Sequence, residues 1–356
     1  MARKTYMRDI GEFGLIRRIR GRYSKSSDRV LCGMGDDAAT LNLPSDSLTL
    51  VTTDTLIEDV HFTLKGTIPY FLGAKALAVN LSDIAAMGGT PSFFLLSLGL
   101  PGSYPLSFVD RFYRGVSHVA EAYDVFLVGG DLTAASTFMI SAVVIGHCAP
   151  DKIIYRKGAR PGDHIFVTGP LGDSALGLRI LHKRGLGPRD FAADGKTRGK
   201  EKDLLGLIRR HLAPPPPVHK GRKIAALGCA TSMIDISDGL LADLGHLTEE
   251  SRVGANLWVD QIPLSRAFKK LAPSYCVRPI DLALGGGEDY ELLFTAPRKT
   301  VEIALSRSEN VDFPVYPVGD VTSHPKKISL LSGNKRAYSP SRLGHDHFRI
   351  DAKKIR

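Results

Sequence analysis

The chain has 356 residues, 43% hydrophobic and 24% charged, with 47 Lys+Arg against 37 Asp+Glu for a formal net charge of +10. That composition is that of an ordinary soluble globular protein, and the length exceeds what one hydrophobic core usually supports, so two domains are expected. Four cysteines (Cys32, Cys148, Cys229, Cys276) lie far apart with no paired spacing, which argues against a zinc cluster or a disulfide framework and fits a reducing cytoplasm; no apolar segment follows the basic N-terminus, so no secretory signal is expected.

In chain order, Ile10, Phe13, Ile16 and Ile19 recur at near-helical spacing and predict a helix over 8–22. Residues 48–53 read as a strand delivering Asp54 at its end. A helix over 70–87 carries Ala74, Leu77, Leu81 and Ile84 on one face, with Asn80, Asp83 and Met87 on a second, so that Asp83 faces outward. The stretch 84–109 lacks charge, but glycines and prolines leave only 93–100 continuously apolar, the length of a buried strand and too short to cross a membrane. A helix over 107–123 follows, then a short strand 125–128 running into Gly129-Gly130-Asp131, and a strand over 138–146.

A boundary falls near Ala149-Pro150-Asp151, after which the pattern restarts with strand 164–168, glycine turn 169–172 and helix 173–183. The basic, Gly-rich stretch 184–202 reads as a loop. The tetraproline 214–217 cannot lie inside a helix and forms an extended spacer before helix 218–227. Strand 231–236, helix 240–250 and strands near 292–295 and 315–318 complete the expected order. Two blocks of mixed elements predict a two-domain α/β or α+β protein, divided as 1–149 and 150–356.

Seven aspartates stand in short motifs rich in glycine or hydroxyls: Asp36 and Asp37, Asp54 after Thr52-Thr53, Asp83, Asp131, and Asp235 with Asp238 around Ser237. Carboxylates behind apolar runs, in a basic protein, point to hard cations; Mg²⁺ is held by a few carboxylates with waters and substrate phosphates. Two phosphate-loop patterns fail. Gly195-Lys196-Thr197 lacks the first glycine of a Walker motif, because residue 190 is aspartate, and the dinucleotide-like Gly33-Met34-Gly35-Asp36-Asp37-Ala38 puts two carboxylates where a pyrophosphate would sit. Asp238 reads either as a metal ligand or as a cap on helix 240–250, a use that Asp235 does not share. Gly285-Gly286-Gly287-Glu288-Asp289-Tyr290 frees the backbone for close approach to a ligand, or is a flexible turn. His345-Asp346-His347 is a metal-like pair or a solvated tail. No nucleophile elbow, HExxH or hydrolase triad is present, and no general base is expected.

Taken in order, Gly11-Glu12-Phe13-Gly14-Leu15-Ile16, Gly35-Asp36-Asp37-Ala38, Thr52-Thr53-Asp54-Thr55-Leu56, His61-Phe62, the run Lys75–Gly88, Gly129-Gly130-Asp131, Ile234-Asp235-Ile236-Ser237-Asp238-Gly239-Leu240 and Gly286-Gly287-Glu288-Asp289-Tyr290-Glu291-Leu292 resemble the thiamine-monophosphate kinase family over nearly the whole chain. The Asp-bearing motifs are shared more loosely with the wider superfamily of aminoimidazole ribonucleotide synthetase and selenophosphate synthetase. The resemblance implies an aminoimidazole ribonucleotide synthetase-like fold, a homodimer formed through the N-terminal domain, and a C-terminal domain closing the active-site cleft. It implies a cytoplasmic enzyme that uses ATP and several Mg²⁺ ions to phosphorylate thiamine phosphate, with no nucleic-acid or membrane partner. Carried over residue by residue, Asp37, Thr52, Thr53, Asp54, Asp83, Asp131, Asp235 and Asp238 would hold metal, Tyr113, Gly130, Asp131, Arg156 and Ser237 would contact ATP, and His61 and Glu288 would contact the thiamine substrate. One position departs: the family's C-terminal aromatic is replaced by His345, which stacks in its place or yields that role to Tyr338. The alternatives are a superfamily enzyme with another acceptor and, less in keeping with the motifs, a basic nucleic-acid-binding protein.

Overall fold

The computed structural model describes residues 5–25, 27–34, 38–65, 67–185, 202–307, 311–333 and 336–340. Asp37, His345 and most of the basic loop lie outside them. The described chain falls into two compact units, one within Met1–Ile153, Leu181–Lys202 and Leu212–Ala226, the other within Ile154–Ile180, Asp203–His211 and Leu227–Arg356. No described helix is long and apolar enough to cross a membrane.

The first unit carries α1 (Met7–Tyr23), β1 (Val30–Cys32), β2 (Thr40–Leu41), β3 (Leu48–Ile57), α2 (Pro69–Ala86), β4 (Thr90–Leu100), α3 (Leu106–Ala122), β5 (Phe126–Gly129), β6 (Leu132–Ala134) and β7 (Met139–Cys148). Its main sheet runs β3-β7-β4-β5, antiparallel except for the parallel β4–β5 pair, and β6 pairs with β4 beyond β5. Helix α2 opens on Pro69, whose missing N–H costs nothing in a first turn, and continues through an Ala- and Leu-rich run of strong helix formers. It is buried on every side except at Tyr70 and Asp83. Gly115 of α3 allows that burial: a Cβ there would lie 1.8 Å from the Tyr70 carbonyl oxygen of α2, so the two helices meet backbone to backbone.

Asp54 is not at a strand end. Strand β3 continues to Ile57, because the period-two alternation of Leu50, Thr52, Asp54 and Leu56 persists through the hydroxyl-rich tract that hides it; Leu50 and Leu56 are buried on the face that α2 covers. Asn80 does not share the outward face of Asp83. It is fully buried, donates from Nδ2 to the Ala76 carbonyl at 3.1 Å, and leaves Oδ1 without a partner.

The chain continues through β8 (His164–Val167), α4 (Asp173–Arg184), α5 (Lys202–Leu212), α6 (Val218–Leu227), β9 (Ser232–Asp235), α7 (Leu240–Ser251), β10 (Gly254–Trp258), α8 (Arg266–Leu271), α9 (Ile280–Gly285), β11 (Leu292–Ala296), α10 (Arg298–Arg307), β12 (Tyr316–Thr322), β13 (Ile328–Ser332) and β14 (Arg336–Ala337). Helix α6, after the tetraproline, belongs mostly to the first unit. The second unit is built on a seven-stranded sheet, β14-β13-β10-β12-β8-β11-β9, antiparallel except for β10–β13. At its β9 edge, Asp235 pairs with Leu292, so the turn after β9 and the glycine-rich segment before β11 emerge together. The sequence pattern does not anticipate α5 or β10. In α5, Gly206 interrupts an apolar run whose Leu204, Leu205, Leu207 and Ile208 are all buried.

Candidate active site

Strand alternation puts Thr52 and Asp54 on the face of β3 that meets α2. There the Thr52 hydroxyl donates to Asp83 Oδ2 at 2.6 Å, tying the strand's hydroxyl tract to the half-buried carboxylate of α2. Thr53 is not brought to this group: its side chain lies on the opposite face and donates to the Ala142 carbonyl at 2.9 Å. Gly130 and Asp131 join β5 to β6. Gly130 has φ +153°, and a Cβ there would sit 2.0 Å from the Leu96 carbonyl oxygen, so only glycine fits this approach. Asp131 is exposed, and its carbonyl accepts the Leu98 N–H at 2.9 Å.

Registers across the sheet align these groups: Asp54 pairs with Ala142, Ala142 with Leu96, and Gly130-Asp131 lies beside Leu96-Ser97, between the paired rows of Gly129 and Leu132. Three strand spacings separate the Asp54 and Asp131 backbones by about 14 Å.

His61 sits on the turn after β3. Its Nδ1 accepts the Ile57 N–H at 3.0 Å, so the ring is oriented by its own turn, with Nδ1 free of a proton. Tyr113 is buried in α3, stacked on Tyr23 with centroids 5.4 Å apart, and burial raises its phenol above the ordinary value. Both rings line a small cavity with Lys25, Ser117 and Phe126.

In the second unit, Asp235 ends β9 and is buried, while Ser237 and Asp238 are half-buried on the turn that follows. Asp238 does not cap α7. The turn is held instead by Asp243, whose Oδ2 accepts the N–H groups of Asp238 at 3.1 Å and Gly239 at 3.0 Å. Burial first, then the charges of Asp235 and Asp238, push the Asp243 carboxyl up to about 8. Its signal in the sequence is an acid on the apolar face formed by Leu240, Leu244 and Leu247. Arg156 is exposed, and its carbonyl accepts the Ser251 hydroxyl at 3.3 Å.

The segment after the glycine run extends the β9–β11 pairing: Ile236 donates to the Glu291 carbonyl at 2.8 Å, Tyr290 to Ile236 at 2.9 Å and Glu288 to Ser237 at 2.7 Å. Glu288 (φ +66°) and Tyr290 (φ +48°) are both left-handed, a conformation that costs an L-residue roughly 1–2 kcal/mol. The three acids of the segment have separate partners. Glu288 Oε2 lies 2.9 Å from His211 Nδ1 on α5. Asp289 accepts the N–H groups of Gly172 and Ser174 at the start of α4. Glu291 accepts the Thr168 hydroxyl at 2.8 Å and pairs with Arg210 at 3.0 Å. Asp289 and Glu291 are buried, whereas 29% of the Glu288 side chain remains accessible. Tyr338 turns its hydroxyl to Asp281 Oδ1 at 2.8 Å, with the Arg278 guanidinium over its ring.

Among the described residues no three His, Cys, Asp or Glu side chains converge as a preformed metal cluster. The donors are carboxylates and hydroxyls, spread out. That suits a hard cation that keeps waters and takes phosphate oxygens from a ligand, and it does not suit zinc.

Residues 35–148 match the family model of AIR synthase related protein, N-terminal domain, which sets the chain in that class of α/β proteins. The thiamine-monophosphate kinase of Escherichia coli K12 is 38% identical over 345 residues, covering 95% of this chain and 98% of that protein. The crystal structure of the thiamine-monophosphate kinase from Stenotrophomonas maltophilia K279a superposes with a TM-score of 0.77 at 34% identity, over 92% of this chain and 98% of the other. AaThiL complexed with AMPPCP and TMP gives 0.72 at 34% identity, over 96% and 99%. This chain belongs to the thiamine-monophosphate kinase family.

Proposed function

We propose that the protein transfers the γ-phosphoryl group of ATP to thiamine monophosphate, giving thiamine diphosphate and ADP. The observation that supports it most is the near full-length likeness to a structure holding AMPPCP and TMP together, a nucleotide analogue beside an acceptor. An acceptor phosphate oxygen forms a bond to the γ-phosphorus as the bond from that phosphorus to the ADP oxygen breaks, in line. The attacking oxygen is already anionic at neutral pH, so no side chain removes a proton from it. The obstacle is bringing two negative groups together, which positioning and charge stabilisation solve.

Thr52, Asp54, Asp83, Asp131, Asp235 and Asp238 would hold Mg²⁺, and Thr53 would contribute through its main-chain carbonyl. Bound Mg²⁺ would neutralise phosphate charge and orient the two substrates. Two aspartates share one Mg²⁺ only within roughly 11 Å between Cα atoms, from side-chain reach plus metal–oxygen distances of about 2.1 Å. The spacing of Asp54 and Asp131 is larger, which supports several ions. The family resemblance gives Tyr113 as an ATP contact; it is 3% exposed and its ring is stacked on Tyr23, so that contact would need the ring to be uncovered. Gly130, Arg156 and Ser237 would contact the nucleotide, the last two through polar groups near its phosphates. His61 and the partly accessible carboxylate of Glu288 would meet the thiamine. The enzyme is read as cytoplasmic and as a homodimer; the exposed outer residues of β3, Val51 at 66% among them, support the dimer reading.

Asp54→Asn and Asp131→Asn each lower turnover by about two orders of magnitude or more, the size seen when one preorganised charge contact is lost, with melting temperatures near wild type. Near-native turnover of either variant at saturating Mg²⁺ withdraws that residue from the site.

A further inference from the structure

The last turn of α5 turns two consecutive side chains, Arg210 and His211, onto the segment that carries Glu288. Arg210 binds Glu291 at 3.0 Å and reaches the Asp289 carbonyl at 3.5 Å. His211, with only 10% of its side chain accessible, places Nδ1 2.9 Å from Glu288 Oε2 and 3.1 Å from the Ser174 hydroxyl. An ionised carboxylate only accepts hydrogen bonds, so the proton shared with Glu288 sits on His211 Nδ1, and Ser174 is left the weaker, accepting share of it. That contact acts on a residue with unusual backbone: Glu288 is held at φ +66° with its N–H on Ser237. One carboxylate oxygen is thus fixed from below by a buried ring while the side chain still reaches solvent.

We propose that His211 is the positioning residue for the acceptor substrate: its Nδ1–H fixes the rotamer of Glu288 and so orients the carboxylate toward the cationic thiamine. This rests on the reading of Glu288 as an acceptor contact. His211 itself touches neither substrate nor the transferred phosphoryl group. Its effect therefore falls on the KM for thiamine monophosphate and not on the KM for ATP. The amide nitrogen of asparagine occupies nearly the place of an imidazole Nδ1, so His211→Asn keeps the donor where His211→Ala deletes it.

The test measures both KM values for wild type, His211→Ala, His211→Asn, Glu288→Gln and the double variant His211→Ala/Glu288→Gln, with thermal melts to confirm that each is folded. His211→Ala is expected to raise the KM for thiamine monophosphate about tenfold or more and to move the KM for ATP less than twofold, with His211→Asn restoring most of the loss. In the Glu288→Gln background, His211→Ala is expected to add nothing. Equal rises in both KM values, no rescue by asparagine, or an effect that multiplies onto Glu288→Gln would overturn the positioning role and leave the Glu288 reading standing. If Glu288→Gln alone leaves the KM for thiamine monophosphate unchanged, the acceptor reading of Glu288 fails, and the role of His211 with it. Should His211→Ala fail to fold, His211→Leu, which fills the buried position without a donor, takes its place alone and with Glu288→Gln, with the same outcomes expected.

Discussion

Asp289 shares a motif with two acids that bind Arg210 and His211 of α5, yet its own carboxylate faces the main chain at the start of α4. It is 1% exposed, and burial, outweighing two backbone N–H donors and the Arg210 charge, pushes its carboxyl up to about 7. The folded state therefore holds a proton over a range where the unfolded chain, with an ordinary carboxyl near 4, has lost it. Stability contributed by this group is largest below about pH 4 and declines as pH rises toward 7, by at most 1.4 kcal/mol per pH unit. We expect the unfolding free energy of wild type relative to Asp289→Asn to fall between pH 4.5 and 7.5 and to be flat above that. A difference that stays constant or grows with pH means that Asp289 is ionised throughout and acts as an ordinary anionic cap. From sequence, Glu288 and Asp289 look alike; what separates them is which partner the fold brings up, α5 for one and the α4 terminus for the other. The same holds at the turn before α7, where Asp238 has the letters of a cap and Asp243, one turn into the helix, makes the bonds.

Among the elements, α2 and α3 show how much local pattern conveys and where it stops. Their spans follow from the spacing of Leu77, Leu81 and Ile84 and of Phe112, Val116 and Val119, and from Pro69 and Pro105 at their starts. The backbone contact between them is not in that pattern, because a helical glycine looks the same whether it faces a neighbour or water. Gly115→Ala would drive a methyl into the Tyr70 carbonyl, and the gain in helix propensity, at most about 1 kcal/mol, does not offset overpacking of about 1–3 kcal/mol or more. A methyl group at Gly245 in α7, by contrast, would meet nothing within 4 Å. Gly245→Ala is expected to stabilise by roughly 0.4–1 kcal/mol. Urea unfolding midpoints that shift down for the first and up for the second support this packing; a neutral or stabilising Gly115→Ala contradicts it. Strand β3 marks the opposite limit. Its apolar start is legible, but Thr52-Thr53-Asp54-Thr55 breaks the hydrophobic signal at the residues proposed to hold metal, so the strand reads as ending before it does.

At the scale of the whole molecule, the class and most of the element order are legible because long apolar runs, the glycine turns and the tetraproline punctuate the chain. The residues that hold the turns around the candidate site are less so. Asp243, Arg210 and His211 act through contacts set by tertiary packing, and α5 is obscured by Gly206. What the two units share is chemistry: among the described residues each presents carboxylate and hydroxyl oxygens on turns and strand faces, a donor set for cations that bind anionic phosphates, and the proposed reaction needs no base to activate its acceptor. The central claim is thus that the acceptor must arrive with its own anionic oxygen. The measurement that tests it most directly is ADP formation from ATP with Mg²⁺ and one acceptor at a time: thiamine monophosphate, free thiamine, an aminoimidazole precursor and selenide. We expect turnover with thiamine monophosphate, with thiamine diphosphate as product, and none above background with the other three. Equal or faster phosphorylation of free thiamine, or turnover only with another acceptor, contradicts the account.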